Sequence, residues 1–317
     1  MYNYEKYTAV KAEIERRRLA AEAEADARSA ELREKSPEIA EIDSELSGTG
    51  MRLFKAALSG EDLTPLKERN QELNKKRRRI IVSLGYPEDY TDVHYTCSKC
   101  KDTGYIGGTK VCSCLREELI KATIASSGIG NLIEKQSFEN FELGLYENDS
   151  DAYRIMKNNL ETAKKFAFGF KDNPGSLLFV GKTGTGKTHL STAIAREVIK
   201  SGFDVIYDTT QNIISDFETD RFKNAYSQTE PISNKYLECD LLIMDDLGAE
   251  FVTQFTVSCL YNLINTRQNR GLSTIISTNL EQKELLERYE DRICSRLIGS
   301  GYRVLFFTGP DRRIHGF

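Results

Sequence analysis

The octapeptide Gly181-Lys182-Thr183-Gly184-Thr185-Gly186-Lys187-Thr188 leaves this chain few folds to choose from. It fits G-x-x-x-x-G-K-[ST], a P-loop whose backbone N–H groups cradle phosphate oxygens. The apolar run Leu177-Leu178-Phe179-Val180 before it reads as a buried strand, and His189 to Ile199 after it reads as a helix ending near Gly202. Strand, glycine loop and helix is the setting that loop requires. The glycines let the backbone curl, and the helix N-terminus adds partial positive charge. Lys187 is then expected to reach the β- and γ-phosphates of a nucleotide, and the Thr188 hydroxyl to hold Mg²⁺.

A second motif supports the first. Asp240-Leu241-Leu242-Ile243-Met244-Asp245-Asp246-Leu247-Gly248 is an apolar strand that ends in carboxylates, a Walker B pattern. Asp245 is expected to bind Mg²⁺ through a bridging water. Asp246 stands where many such ATPases place a glutamate that polarises the attacking water. Aspartate is one methylene shorter, about 1.5 Å of reach, and a misplacement of about 1 Å can cost about 10²-fold. Slow intrinsic hydrolysis is expected, below a turnover of roughly 10 s⁻¹.

Further along, Leu272 to Asn279 reads as a strand whose terminal Asn279 amide can order a nucleophilic water. Residues 253–270 and Asp291 to Leu297 read as helices, the latter with Arg292 and Arg296 on one face. A last strand, Tyr302 to Phe307, precedes Gly309-Pro310-Asp311-Arg312-Arg313.

The front of the chain is of another kind. Residues 1–35 have a helical composition, with Tyr7, Val10 and Ile14 on one face and an apolar stripe that fades after Leu19. Ser36-Pro37-Glu38 restarts a helix carrying Ile39, Ile42, Leu46, Leu53 and Ala57, with Gly48 and Gly50 in its middle. Residues 59–62 read as a turn. Thr64-Pro65 is expected to cap a third helix, with Leu66, Leu73, Ile80 and Leu84 along it, closed by Gly85-Tyr86-Pro87. The runs Arg16-Arg17-Arg18 and Lys75-Lys76-Arg77-Arg78-Arg79 are either solvated faces or phosphate contacts.

Next comes Cys97-Ser98-Lys99-Cys100, then, eleven residues on, Cys112-Ser113-Cys114. Two close thiol pairs flanking a short hairpin can wrap a tetrahedral metal, and four thiolates make a closed Zn²⁺ site. His94, three residues before Cys97, is an alternative fourth ligand. A segment this small has no core of its own, so metal binding would be much of its folding energy. Cys239, Cys259 and Cys294 are dispersed and read as ordinary thiols.

Composition narrows the partners. The net charge of −4 excludes a protein coated in positive charge, so any nucleic-acid contact is local. Arg221, Phe222 and Lys223 are candidates for it. No apolar run of about 18 residues exists and the N-terminus lacks a signal-peptide core, so neither a membrane span nor export is expected. A cytoplasmic setting keeps thiols reduced, which favours metal over disulfides for the clustered cysteines.

The run from Phe138 to Arg313 resembles the AAA+ ATPase domain of DnaC/DnaI-type replicative helicase loaders and their IstB-like relatives. The resemblance lies in Gly-Lys-Thr-Gly-Thr-Gly-Lys-Thr-His-Leu at 181–190, Ile-Met-Asp-Asp-Leu-Gly at 243–248, Ser-Thr-Asn at 277–279, Asp-Arg-Ile-Cys-Ser-Arg-Leu at 291–297 and Gly-Pro-Asp-Arg-Arg at 309–313. It implies an α/β fold: a parallel sheet in which the strand ending at Asn279 lies between the P-loop and Walker B strands. It implies ATP as ligand, with His189 part of the binding motif. Asn279 becomes the sensor 1 residue. Arg296 becomes an arginine finger acting on ATP bound by a neighbouring copy. Arg313 becomes sensor 2, with Arg312 the other register. The paired aspartates are common in the loader branch.

The expected organisation is a helical partner-docking region at 1–90, a zinc module at 91–118, a linker at 119–136 and the AAA+ domain at 137–317. The implied function is loading of a replicative DNA helicase by an ATP-switched oligomer that holds single-stranded DNA. Two other readings fit the same residues: a transposition ATPase that multimerises on duplex DNA and recruits a transposase, and a nucleotide-gated protein adaptor that never binds DNA. A small-molecule kinase fits poorly, having no use for the tail arginines or the long front.

Overall fold

A computed structural model of the chain describes residues 3–59, 62–172, 175–222, 230–299, 301–309 and 311. It divides into two compact units, residues 11–115 and residues 116–317 together with 1–10.

In the first unit, helix α1 (Tyr4–Lys35) is followed by α2 (Pro37–Ser59) and α3 (Thr64–Ser83). Leu32, Ile39 and Ile81 are fully buried together, with Ile80, Tyr86 and Tyr90 packed against them. Ile14, Ile42 and Leu73 are buried as the spacing requires. The α1 stripe does not end at Leu19, however, since Ala25 and Leu32 are buried beyond it. The side chains of Leu53 and Ala57 lie outside what is described. Pro65 sits in the first turn of α3, but the capping acceptor is Asp62, whose Oδ1 takes the Thr64 N–H at 2.9 Å and its hydroxyl at 2.7 Å.

Six residues of the two basic runs pair with carboxylates. Arg16 and Arg17 meet Glu13, Arg18 meets Glu22, Lys76 meets Glu38, Arg77 meets Asp43 and Arg78 meets Glu88.

Helices and cysteine segment fall within the same unit, not in two. The reason is α1, which runs beside both. Arg28 donates to the carbonyls of Tyr90 and Asp92, Tyr95 donates to Glu22, and Lys11 donates to the Thr103 carbonyl at 2.6 Å. Strands β1 (Tyr105–Ile106) and β2 (Lys110–Val111) pair antiparallel between the two thiol pairs.

The second unit follows with α4 (Ser113–Ser126), α5 (Leu132–Lys135), α6 (Ser150–Phe168), β3 (Ser176–Gly181), α7 (Lys187–Lys200), β4 (Val205–Thr209), α8 (Thr210–Phe222), α9 (Asn234–Glu238), β5 (Leu241–Leu247), α10 (Gln254–Asn269), β6 (Ser273–Thr278), α11 (Gln282–Ile298) and β7 (Tyr302–Phe307). Among the described residues, five strands form one parallel sheet in the order β4-β5-β6-β3-β7. β6 therefore separates β5 from β3, as the resemblance to AAA+ proteins implies. Helices cover both faces, so the central strands are apolar on both sides. Successive residues alternate: Leu177 and Phe179 face one core with α6 and α7, while Leu178 faces the other with α10 and α11.

One buried charge holds the second core. Arg267 on α10 is fully buried and spends its guanidinium on the carbonyls of Tyr236, Cys239 and Ser273 and the Thr274 hydroxyl, at 2.7–3.0 Å. It ties α9 and the start of β5 to β6. Cys239, Cys259 and Cys294 are buried in the same layer.

Candidate functional site

All five parallel strands point their C-terminal ends the same way, and the conserved geometry of such sheets puts ligands there. At that end lies a cavity of about 500 Å³ bordered by the P-loop, Leu132, Gln136, Tyr207, Asp245, Asp246 and Asn279.

The P-loop leaves β3 at Gly181, and a Cβ there would collide with the Phe307 carbonyl of the neighbouring β7. Gly184 and Gly186 take φ of +78° and +99°, which side-chain-bearing residues rarely adopt. The Thr185 hydroxyl closes the loop on the Lys182 carbonyl at 2.8 Å, and buried Tyr146 donates to the Thr185 carbonyl at 3.0 Å. Lys187, only 6% exposed, donates to the carbonyls of Gly181 (2.6 Å) and Lys182 (2.9 Å) and to Asn279 Oδ1 (2.5 Å). An ammonium held by neutral oxygens inside a glycine cradle suits a phosphate. Thr183 borders the cavity with them.

His189 also borders the cavity, with its ring turned to residues 137–141. Its Nε2 lies 2.9 Å from the Ser137 carbonyl and 3.0 Å from Asn140 Oδ1, and its ring meets Phe141 edge-on. It pins residues 137–141 to α7, which fixes Gln136 and Leu132 beside the loop.

Asp245 is buried at the end of β5. Its Oδ1 accepts from Ser277, and its Oδ2 accepts from Tyr207 and, at 3.3 Å, from Thr188. Burial, then the charge of Asp245, pushes the Tyr207 phenol well above its ordinary range, so it remains a donor. Asp246 is exposed and carries φ of +55°, at an irregularity in the β5–β6 register between Met244 and Leu247. A bulge of this kind re-aims a side chain, here toward the cavity. Oxygen donors from Thr188, Asp245 and Asp246 fit a hard cation such as Mg²⁺.

Arg296 lies elsewhere. It borders a separate cavity with Ser176 and Leu272, at the N-terminal ends of β3 and β6. A six-residue strand spans about 17–20 Å, so Arg296 is out of reach of a nucleotide on its own P-loop. Its guanidinium stacks over Tyr261, 4.5 Å from the ring centroid, and bonds Asn265 and the Tyr261 hydroxyl. Arg292 stacks on the same ring at 4.9 Å. Arg312 and Arg313 lie outside the described residues, as does Lys223. Arg221 stacks on Phe255, while Phe222 and Phe251 are 79% and 87% exposed.

The four thiols of Cys97, Cys100, Cys112 and Cys114 lie within 4.8 Å of one another. Cys97 and Cys112 are 3.8 Å apart and Cys100 and Cys114 3.4 Å. A tetrahedron with Zn–S bonds of about 2.3 Å has edges of about 3.8 Å. The Cys114 backbone N–H draws the Cys112 thiol down to about 7, whereas burial pushes the Cys114 thiol up. Buried Asp102 accepts the N–H groups of Thr96 and Cys97 at 2.7 and 2.8 Å and sets the first turn of the cluster. His94 is not part of the group and lies 4.0 Å from Asp89.

Sequence reasoning missed Tyr207, Gln136 and the Tyr261–Asn265 seat of Arg296. The Gln136 Oε1 is screened from solvent and has no hydrogen-bond partner among the described residues, and Gln136 borders the cavity. Polar Ser277 and Thr278 at the end of an apolar strand were the one legible signal for the groups around Asp245.

A family described as IstB-like ATP binding protein matches residues 129–298, more than half of the 317-residue chain. The chain belongs to that family. The matched span contains the P-loop, Asp245, Asp246, Asn279 and Arg296. Among relatives, the replicative helicase loader DnaC of Escherichia coli (strain K12) is 28% identical over 188 residues, 59% of this chain and 73% of DnaC. The phage-like element PBSX protein XkdC of Bacillus subtilis (strain 168) is 27% identical over 241 residues, 71% of this chain and 86% of XkdC. A crystal structure of DnaI aligns with a TM-score of 0.46 at 22% identity, covering 59% of this chain and 95% of that one. No helix among the described residues is long and apolar enough to cross a membrane.

Proposed function

We propose that this IstB-like ATPase loads a replicative DNA helicase. The observation that carries the reading is the separation of Arg296 from the P-loop of its own chain, combined with the relatedness to DnaC. An arginine seated at the far end of the sheet completes an ATP site only on an adjacent copy. ATP therefore favours assembly, and the assembly is the switch.

Within each site, Lys187 and the loop amides hold the phosphates, and Asn279 and Asp246 orient the attacking water. Bound Mg²⁺ supplies charge neutralisation at the phosphates, held by Thr188 and Asp245. Asp246 is short for its task, so hydrolysis is slow and the ATP-bound assembly persists. Exposed Phe222 and Phe251, with Arg221 stacked on Phe255, provide the rings and charge that single-stranded DNA requires. Arg313 is the proposed sensor 2. Zn²⁺ at the four cysteines is structural, and the helical region 1–90 docks the helicase.

The test is native mass spectrometry of the full chain with a replicative helicase hexamer, in ATP and in ADP. Several copies bound per hexamer in ATP, lost on deletion of residues 1–85, are expected. Absence of any complex in both nucleotides would overturn the loader reading. The family match itself favours the second reading, a transposition ATPase on duplex DNA. Preference for double over single strands in ATP would select it.

A further inference from the structure

We propose that Tyr207 is a positioning residue for Asp245, and that the turn Ser127-Gly128 after α4 holds Tyr207 in place. The inference deepens the nucleotide-site reading above and rests on it.

Tyr207 lies on β4, an edge strand of the sheet, and borders the cavity. Its phenol donates to Asp245 Oδ2 while Ser277 donates to Oδ1, so the carboxylate is gripped from both sides. Thr188 approaches the same Oδ2 at 3.3 Å. A carboxylate oxygen accepts about two hydrogen bonds. When the Thr188 hydroxyl turns to a cation, one acceptor position on Oδ2 is released for a cation-bound water. Tyr207 and Ser277 keep the carboxylate from rotating during that exchange. Thr188, Asp245 and Tyr207 thus come from three separate elements, α7, β5 and β4.

The backbone of Tyr207 is fixed from outside the sheet. Its N–H donates to the Ser127 carbonyl at 2.6 Å. Gly128 has φ of +77°, and a Cβ there would overlap the Tyr207 carbonyl oxygen. The turn lies this close to β4 because position 128 has no side chain. The orientation of the Mg²⁺ ligand is therefore set by the turn that ends α4 as well as by the P-loop.

The test uses the full chain and a fluorescent ATP analogue, titrated first in EDTA and then with graded Mg²⁺. Tyr207→Phe keeps the ring and removes only the donor. It is expected to bind nucleotide in EDTA like the wild type and to need about tenfold more Mg²⁺ for half-saturation, the usual effect of losing a group that orients a metal ligand. Gly128→Ala is expected to shift the Mg²⁺ titration the same way, and the double variant to shift it no further than the larger single one. A Tyr207→Phe titration matching the wild type, or an equal loss with and without Mg²⁺, would overturn the inference while leaving the nucleotide site intact. Failure of the wild type to bind nucleotide in any condition would overturn the site reading and the inference with it.

Discussion

The cysteine cluster and the P-loop cavity each bring polar groups to one place, yet they relate to the fold in opposite ways. Around the cysteines, β1 and β2 are two residues each and mostly exposed. Two of the four thiols, Cys100 and Cys112, are among the buried residues there, with Asp102. The P-loop cavity sits on a five-strand sheet with apolar cores on both faces. A metal bound by the four thiols would supply much of the structure of the first region. In the second the structure is complete and the ligand is the function.

The largest effect expected from that contrast is at the metal. Zn²⁺ binding to small cysteine modules is worth on the order of 10 kcal/mol, far more than the few small strands can supply. Removing zinc with a strong chelator, or Cys100→Ser, should release one Zn²⁺ per chain and collapse amide-exchange protection across residues 95–115. Protection in β3, β5 and β6 should be retained. Loss of protection in the sheet as well would break the distinction.

Lys187→Ala is the matching experiment in the other region. It should weaken ATP binding by about 10²-fold, the scale of truncating a desolvated charge partner, with the cooperative melt of the ATPase unit retained. Calorimetry and thermal unfolding of the same sample check both halves. A variant that fails to fold would show that this lysine is a structural ion.

Asp246→Glu probes a smaller difference. The added methylene restores reach toward the attacking water and should raise turnover by up to about 10²-fold. Glutamate tolerates the left-handed backbone at φ +55° less well than aspartate does, so a gain nearer tenfold is expected. Single-turnover hydrolysis measures it. An unchanged or lower rate would rule out the length of Asp246 as a limit on hydrolysis.

Much of this was legible in residues close together in the chain. The glycine loop, the apolar run into Asp245-Asp246 and the strand into Asn279 are local patterns, and so is the thiol spacing. What escaped was made by distant contacts. Tyr207 reads as one more aromatic on a strand until β4 pairs with β5 and its hydroxyl reaches Asp245. Arg267 carries no signal in the sequence of α10, and its role comes from the four acceptors that surround it. Ala25 and Leu32 extend the buried face of α1 past the point where its apolar spacing fails. The bulge at Asp246 has no sequence signature, because the residue type does not announce a positive φ.

Mixing two inactive variants tests the divided ATP site most directly. Lys187→Ala cannot hold ATP but retains Arg296, and Arg296→Ala holds ATP but offers no arginine to a neighbour. Hydrolysis would be measured for each alone and for an equimolar mixture at high protein concentration. The mixture should exceed the sum of its parts severalfold, because some Arg296→Ala sites then face an intact Arg296. A mixture no faster than that sum, with Arg296→Ala alone as active as the wild type, would contradict a site completed by the adjacent copy.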